Sequence, residues 1–360
     1  MDKPSLLKSD QVPRIFYADV LRFFAIIAVI MLHCSSDYVE QYGEISPGTW
    51  WAGTAFNGIS RFCIPIFVML SGAFLLKPGK MITMKELFGK RLMKILVPLI
   101  FWSIIYICWE TPRTEEGWDG FDLKETIHGF FQDPVVYHFW FLYMMVGIYL
   151  IYPVINAFIG IAKDIDLKYF LILCFITNTL IFITEKLWDW SLGIDLQAFT
   201  GYIGYFVLGY YLNTRKFSII QFRWFAFFFI IGILLAIIMP WLLYQYNEDL
   251  VTDFTESDFT PEVILAASGL FVSVKYLLQN YHPKKWIFRI INGISMESFG
   301  IYLIHVLVME FVFSENRSYT PKLLANPAWG IPVQTIIILV VSFILVKLIR
   351  LIPVFNRVIG

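Results

Sequence analysis

Apolar residues fall in ten runs separated by short polar segments: 15–34, 56–76, 95–109, 138–161, 169–187, 198–213, 224–244, 262–280, 294–314 and 332–352. A helix of about 20 apolar residues crosses the roughly 30 Å hydrocarbon core of a bilayer. The third and sixth runs are short for that length. Lipid offers no partner to an unpaired backbone amide, so each crossing run is expected to be a helix. The pattern predicts an all-α integral membrane protein with about ten transmembrane helices, organised as a single membrane domain over 1–360. The chain is polar up to Arg14, and the first run lacks a small-residue cleavage site, so that run is expected to be a retained helix rather than a signal peptide.

The polar positions give the orientation. Twenty of the 28 Lys and Arg fall in one set of alternate connections and five in the other, while Arg22, Arg61 and Lys275 lie inside runs. Basic residues collect on the cytoplasmic side, which places both termini there. A missed or extra span would invert every later loop and destroy the bias. The opposite loops are acidic. Segment 110–137 carries seven carboxylates, and 245–261 carries Glu248, Asp249, Asp253, Glu256 and Asp258 without a Lys or Arg. These are expected to be solvated turns, and no metal-ligand spacing stands out in them. Trp50, Trp51, Trp109, Trp188 and Trp190 sit near outer span ends, as interfacial aromatics do.

Composition agrees with the membrane reading. Hydrophobic residues make up 58% of the chain and charged residues 16%, where a soluble domain carries about a quarter charged. The formal charge is zero, and nothing in its distribution calls for a nucleic-acid partner. Cys34, Cys63, Cys108 and Cys174 fit neither a zinc site nor a disulfide framework and are expected to be small buried thiols. Both Cys34 and Cys63 lie near the outer face, which leaves a bond between them open. No inverted repeat of the transporter type is visible.

An ionisable side chain inside a span costs about 2.5–3.5 kcal/mol on insertion scales, so each one calls for a reason. The first run, YADVLRFFAIIAVIMLHCSS, holds Asp19, Arg22 and His33. Arg22 and His33 are separated by three helical turns plus about 20°, so they share a face roughly 16 Å apart along the axis. Asp19, one turn before Arg22, can neutralise it. The bland alternatives are a snorkelling arginine and a histidine bonded at the interface. In the second run Arg61 lies near the outer end, Pro65 frees a carbonyl one turn earlier, and Ser71-Gly72 allows close backbone approach. The fourth run brings His138, Trp140, Tyr143 and Tyr149 in from the outer face. The ninth carries Glu297 in its inner half and His305 near mid-depth. Lys275 is expected to snorkel inward, and Phe139, Phe141 and Phe299 to be packing. Between runs two and three, KPGKMITMKELFGKRLMKILVP is the densest basic segment. It suits anionic lipid, or a cytosolic ligand with several phosphates held by Lys90, Arg91 and Lys94, with the last two one turn apart on one face.

Arg22-x10-His33, followed in order by PIFVMLSGAFLL, KRLMKILVPLIFW, HFWFLYMMVGIYLIYP and SFGIYLIHVLV, resembles the membrane acyltransferase-3 family over nearly the whole chain. The likeness is greatest to stand-alone members that O-acetylate bacterial surface polysaccharides, the enterobacterial common antigen O-acetyltransferase type. It implies an O-acyltransferase in the bacterial cytoplasmic membrane. The enzyme would use acetyl-CoA as donor, without a metal, and would act on a hydroxyl of a cell-surface or lipid-linked glycan. His33 would be the general base. Arg22 and Asp19 would complete the catalytic set, and Arg22, Arg91, Lys94 and Lys90 would hold the CoA phosphates. Arg61, Ser71 or Tyr143 would stabilise the oxyanion, and His138, Trp140 and His305 would form a second tier around the acceptor. An acyl-enzyme is a variant of the same chemistry, and membrane lipids are partners in any case. The family's Arg-x-x-Arg reads Arg91-x-x-Lys94 here, and no appended esterase-like domain is expected. The rival reading is a proton-coupled secondary transporter or polysaccharide exporter using Asp19, Arg22 and His33 as a relay; a non-catalytic lipid-binding partner is a third. The acceptor sugar, the size of the acyl group and homo-oligomerisation stay open.

Overall fold

The computed structural model describes residues 15–79, 82–114, 117–188, 190, 197–313 and 326–360, and no strand occurs among them. The order is α1 (Phe16–Glu40), α2 (Pro47–Ser60), α3 (Cys63–Leu75), α4 (Met84–Glu86), a π-helical turn (Leu87–Leu92), α5 (Met93–Glu110), α6 (Leu123–Gln132) and α7 (Trp140–Ile161). It continues with α8 (Asp164–Trp188), α9 (Gln197–Thr214), α10 (Ile219–Tyr246), α11 (Asp249–Glu256), α12 (Pro261–Leu278), α13 (Lys285–Phe313) and α14 (Pro327–Arg350), and ends in a 3-10 turn, Pro353–Arg357.

Among the described residues, nine helical stretches are long and apolar enough to cross a membrane. The expected run 198–213 coincides with α9. That helix departs from helical geometry at Gly201, which leaves about 20 Å of unbroken helix beyond it, short of the hydrocarbon thickness. Several helices overrun their apolar runs. α8 starts at Asp164 and α1 continues to Glu40, because the backbone gains from helical bonding in the headgroup region as well as in lipid. The second run is two helices, parted at Arg61–Phe62. Pro65 falls in the first turn of α3, where its missing N–H has no intrahelical partner to lose, so the break sits where the proline costs least.

α1 is central and packs against α2, α3, α12, α13 and α14. Around it the helices approach closely through small residues. A Cβ on Gly72 of α3 would strike the Phe206 carbonyl of α9, and one on Gly209 of α9 would strike the Met69 carbonyl of α3. Gly232 of α10 and Gly269 of α12 face each other's backbones in the same reciprocal way. With no hydrophobic drive between helices in lipid, such close contacts supply the packing attraction.

The polar interior differs from expectation in three places. Lys275 does not snorkel. It is 6% exposed, and its Nζ donates to the carbonyls of Leu212 (2.9 Å), Asn213 (2.5 Å) and Arg215 (2.6 Å). All three ammonium protons are thereby placed at the C-terminal, negative end of α9. The acidic segment 245–261 is not wholly solvated. Asp258 is buried, its carboxylate accepting from Tyr202 Oη (2.8 Å) and its carbonyl from Tyr205 Oη (2.5 Å), and beside it Arg61 donates to the Ser257 carbonyl (2.7 Å). The four cysteines are free thiols; Cys108 is exposed rather than buried, and Cys34 and Cys63 are not bonded to each other.

Replacing Lys275 by Met would leave three helix-end carbonyls without their charged donor. A loss of ~3 kcal/mol is expected, about that of a strong charge-assisted bond, seen as a lower melting temperature in detergent. An unchanged melting temperature would mean that these carbonyls find other partners.

Candidate functional site

Four positions on one face of the first turns of α1, Ile15, Ala18, Asp19 and Arg22, line a cavity of about 710 Å³. α3 adds Ser71 and Phe74, α5 adds Lys94, α7 adds Phe141, Leu142 and Tyr149, and α13 adds Ser295 and Tyr302. This is the end of the bundle where α1 and α13 begin and α14 finishes.

Asp19 is buried and accepts from Ser295 Oγ on α13 (2.8 Å). Arg22 Nη1 lies 3.4 Å from the same carboxylate oxygen, the (i, i+3) pairing that the spacing implied. The guanidinium also rests 5.4 Å from the Phe74 ring centroid. A third of the Arg22 side chain stays exposed, so its charge is presented to the cavity rather than consumed by Asp19. Lys94 is exposed and lines the same space. The other expected phosphate ligands separate from it: Lys90 is exposed without lining the cavity, and Arg91 turns to Glu86 (3.3 Å). The cause is the π-helical turn Leu87–Leu92, whose wider winding ends just before Lys94 and takes Arg91 and Lys94 off a common α-helical face.

Further along α1, three imidazoles from three elements converge. His33 comes from α1, His138 from the 3-10 turn Tyr137–Phe139 that leads into α7, and His305 from the middle of α13. Ring centroids are 5.3 Å apart for His33 and His305, 5.1 Å for His138 and His305, and 6.5 Å for His33 and His138. His138 and His305 are buried, whereas His33 is half-buried. His305 Nδ1 lies 2.6 Å from the Tyr302 carbonyl, which can only accept. Nδ1 therefore carries a hydrogen, which fixes the tautomer of the ring whenever it is neutral. No group of three or more His, Cys, Asp or Glu among those residues is placed to hold a metal ion.

Tyr302 is the residue that touches both the cavity and the imidazoles. The Tyr302 ring lines the cavity, while its hydroxyl donates to the His138 carbonyl. Its centroid stands 5.4 Å from Phe141, 5.6 Å from His138 and 5.8 Å from His305. Arg22 lines the cavity and His33 does not. Sequence reasoning passed over Tyr302. It also passed over Tyr106, which donates to the Leu303 carbonyl (3.2 Å) and lies 5.6 Å from His138, and Tyr137, 5.2 Å from His33. For Tyr302 the available signal was its place one turn before His305.

The remaining expected residues scatter. Ser71 lines the cavity, its hydroxyl donating to the Phe67 carbonyl (2.9 Å). Tyr143 donates to the Phe130 carbonyl of α6 (2.6 Å), and Trp140 lies against Tyr202 at 5.6 Å. Arg61 is tied to Ser257, away from the histidines. Of the three expected oxyanion donors, only Ser71 faces the cavity.

The sequence model of a family described as an acyltransferase domain matches residues 15–348, most of the chain. No curated protein and no solved structure matches it.

The burial pattern orders the five histidines for chemical modification. Diethyl pyrocarbonate is expected to reach exposed His128 and His282 first and His33 more slowly, sparing His138 and His305, as read by peptide mass. Modification of His305 as fast as His33 would contradict the packed cluster.

Proposed function

The chain belongs to the acyltransferase-3 family of membrane acyltransferases, and from that premise we propose that it carries an acyl group, acetyl by preference, from cytosolic acyl-CoA to a hydroxyl of a cell-surface or lipid-linked glycan. On this reading it lies in a bacterial cytoplasmic membrane with both termini in the cytoplasm, and it works without a metal. One observation carries the proposal: α1 holds a guanidinium in a cavity at one depth and an imidazole in a cluster of three about 16 Å further along.

CoA suits that separation, since its thiol ends a long flexible arm on a nucleotide rich in phosphate. Arg22 and Lys94 would hold the phosphates near the cavity mouth by charge-assisted bonds. The acyl thioester would lie deeper, against Tyr302. His33, the most accessible imidazole of the three, would take the proton from the acceptor hydroxyl. The hydroxyl oxygen attacks the thioester carbonyl, and Ser71 would donate to the developing oxyanion by turning its one hydroxyl hydrogen away from the Phe67 carbonyl. The C–S bond then breaks, and the CoA sulfur leaves with the proton returned by His33. The ester forms and no acyl-enzyme is needed. His305, locked as one tautomer, and buried His138 would keep the His33 ring oriented.

His33→Ala is expected to lower kcat by about 10²–10⁴-fold while the melting temperature holds, and near-normal turnover would sink the assignment. Lys94→Ala should raise the KM for acyl-CoA by about fivefold, one partly screened contact, with the effect shrinking in high salt. CoA at a hundred times its Kd should stabilise the purified chain by ~2.7 kcal/mol, an effect a proton-coupled exporter would lack. The acceptor class is tested by mass spectrometry of surface glycans from cells with and without the gene, where an acyl mass should disappear.

A further inference from the structure

One residue beyond α14, Gly360, lines the cavity. After α14 the chain turns through Pro353–Arg357 and folds back on the bundle. Leu351 and Val354 point outward, but Ile359 is fully buried. Trp102 of α5 donates through Nε1 to the Val358 carbonyl (2.8 Å), and the Phe355 ring lies 5.9 Å from Phe101. Arg350 Nη2 donates to the Gly360 carbonyl (3.0 Å). Gly360 then lines the cavity.

The arginine that holds this segment is itself fixed. Arg350 Nε donates to Glu297 Oε2 (2.5 Å), and Lys347 Nζ donates to Oε1 (2.6 Å). Glu297 is 1% exposed, and its neighbours Ser295, Met296, Ser298 and Phe299 all line the cavity. One buried carboxylate thus locks α14, the folded-back segment and a cavity wall in a single register. Residues beyond a last helix stay ordered only when tied down, and this segment is tied by two donors and a buried isoleucine. Gly360 has φ +87°, a region that favours glycine, and a Cβ there would strike the Phe299 ring.

We propose that residues 353–360 form a fixed wall of the acyl-donor site, setting the width of its entrance, with Trp102 and Arg350 as the positioning residues that hold it. The proposal rests on the acyl-CoA reading above. Its ligand is the phosphorylated, pantetheine-bearing part of the donor, because Gly360 shares the cavity with Lys94 and Arg22 and lies away from the histidines. The wall acts on donor affinity and leaves the acceptor side alone.

Three full-length variants test it in detergent. Gly360→Leu, which crowds the wall, and Trp102→Phe, which removes its anchor but keeps a ring, should each weaken CoA binding about tenfold by calorimetry, the equivalent of ~1.4 kcal/mol. The KM for acceptor should not change. Gly360→Cys should be alkylated by iodoacetamide at position 360, read by peptide mass, and saturating CoA should slow that labelling at least about tenfold. The third variant needs no activity, and its Cβ asks of Phe299 the same shift that Gly360→Leu does. Equal labelling with and without CoA, in a chain that binds CoA, would overturn the wall and leave the transferase reading standing. Failure of the unaltered chain to bind CoA would overturn both. A parallel rise in donor and acceptor KM would reduce the segment to general scaffolding and overturn its assignment.

Discussion

A guanidinium inside a membrane bundle needs both a counter-charge and a polar space, and the pairing of Arg22 with Asp19 supplies the first while forcing the second. Left in lipid, the arginine would cost about 3 kcal/mol on insertion scales. Asp19, one turn away and bonded to Ser295, offsets the charge and ties the start of α1 to α13. The pair is not sealed. Phe74 lies against the guanidinium, and Arg22 lines the cavity. The same residue that endangers the helix in lipid thus fixes where the bundle opens.

The scaffold around this opening is rigid by different means. Reciprocal glycines bring α3 against α9 and α10 against α12 at backbone distance. Lys275 closes the end of α9, and Glu297 clamps the end of α14. These contacts lie between helices that surround α1, so they hold its polar face in place without joining the chemistry. Support for a site by residues that never touch the ligand is what placement within a fraction of an ångström demands.

The spans were legible because lipid makes run length the signal: an apolar stretch must be a helix, whatever its periodicity. The split of the second run was half-announced by Pro65. The short continuous helix in the sixth was not, since Gly201 reads as any membrane glycine. The three histidines were each conspicuous as polar residues in apolar runs, but their convergence joins α1, α7 and α13 and is written in no local pattern. Tyr302 draws no notice in the sequence because aromatic spacing in a membrane helix is the same for a wall and for a core. Lys275 was misjudged because snorkelling and helix capping differ only in where α9 ends. Arg91 and Lys94 parted because a π-helical turn leaves no mark that the sequence reveals. Asp258 was taken as solvated because its partners, Tyr202 and Tyr205, belong to a distant helix.

Tyr302 joins the two halves of the site more tightly than a simple wall would. Its ring closes the cavity, its hydroxyl is bonded to the backbone of His138, and its own carbonyl sets the tautomer of His305. Any movement that lets a thioester pass must therefore displace a group bonded to the histidine cluster. On the transferase reading, donor arrival and imidazole placement become one event. On that reading the ring would keep the thioester from the histidine cluster until it moves. An enzyme that must pass an activated acyl group across a bilayer gains from that separation, because hydrolysis competes with transfer whenever base, water and thioester meet before the acceptor does.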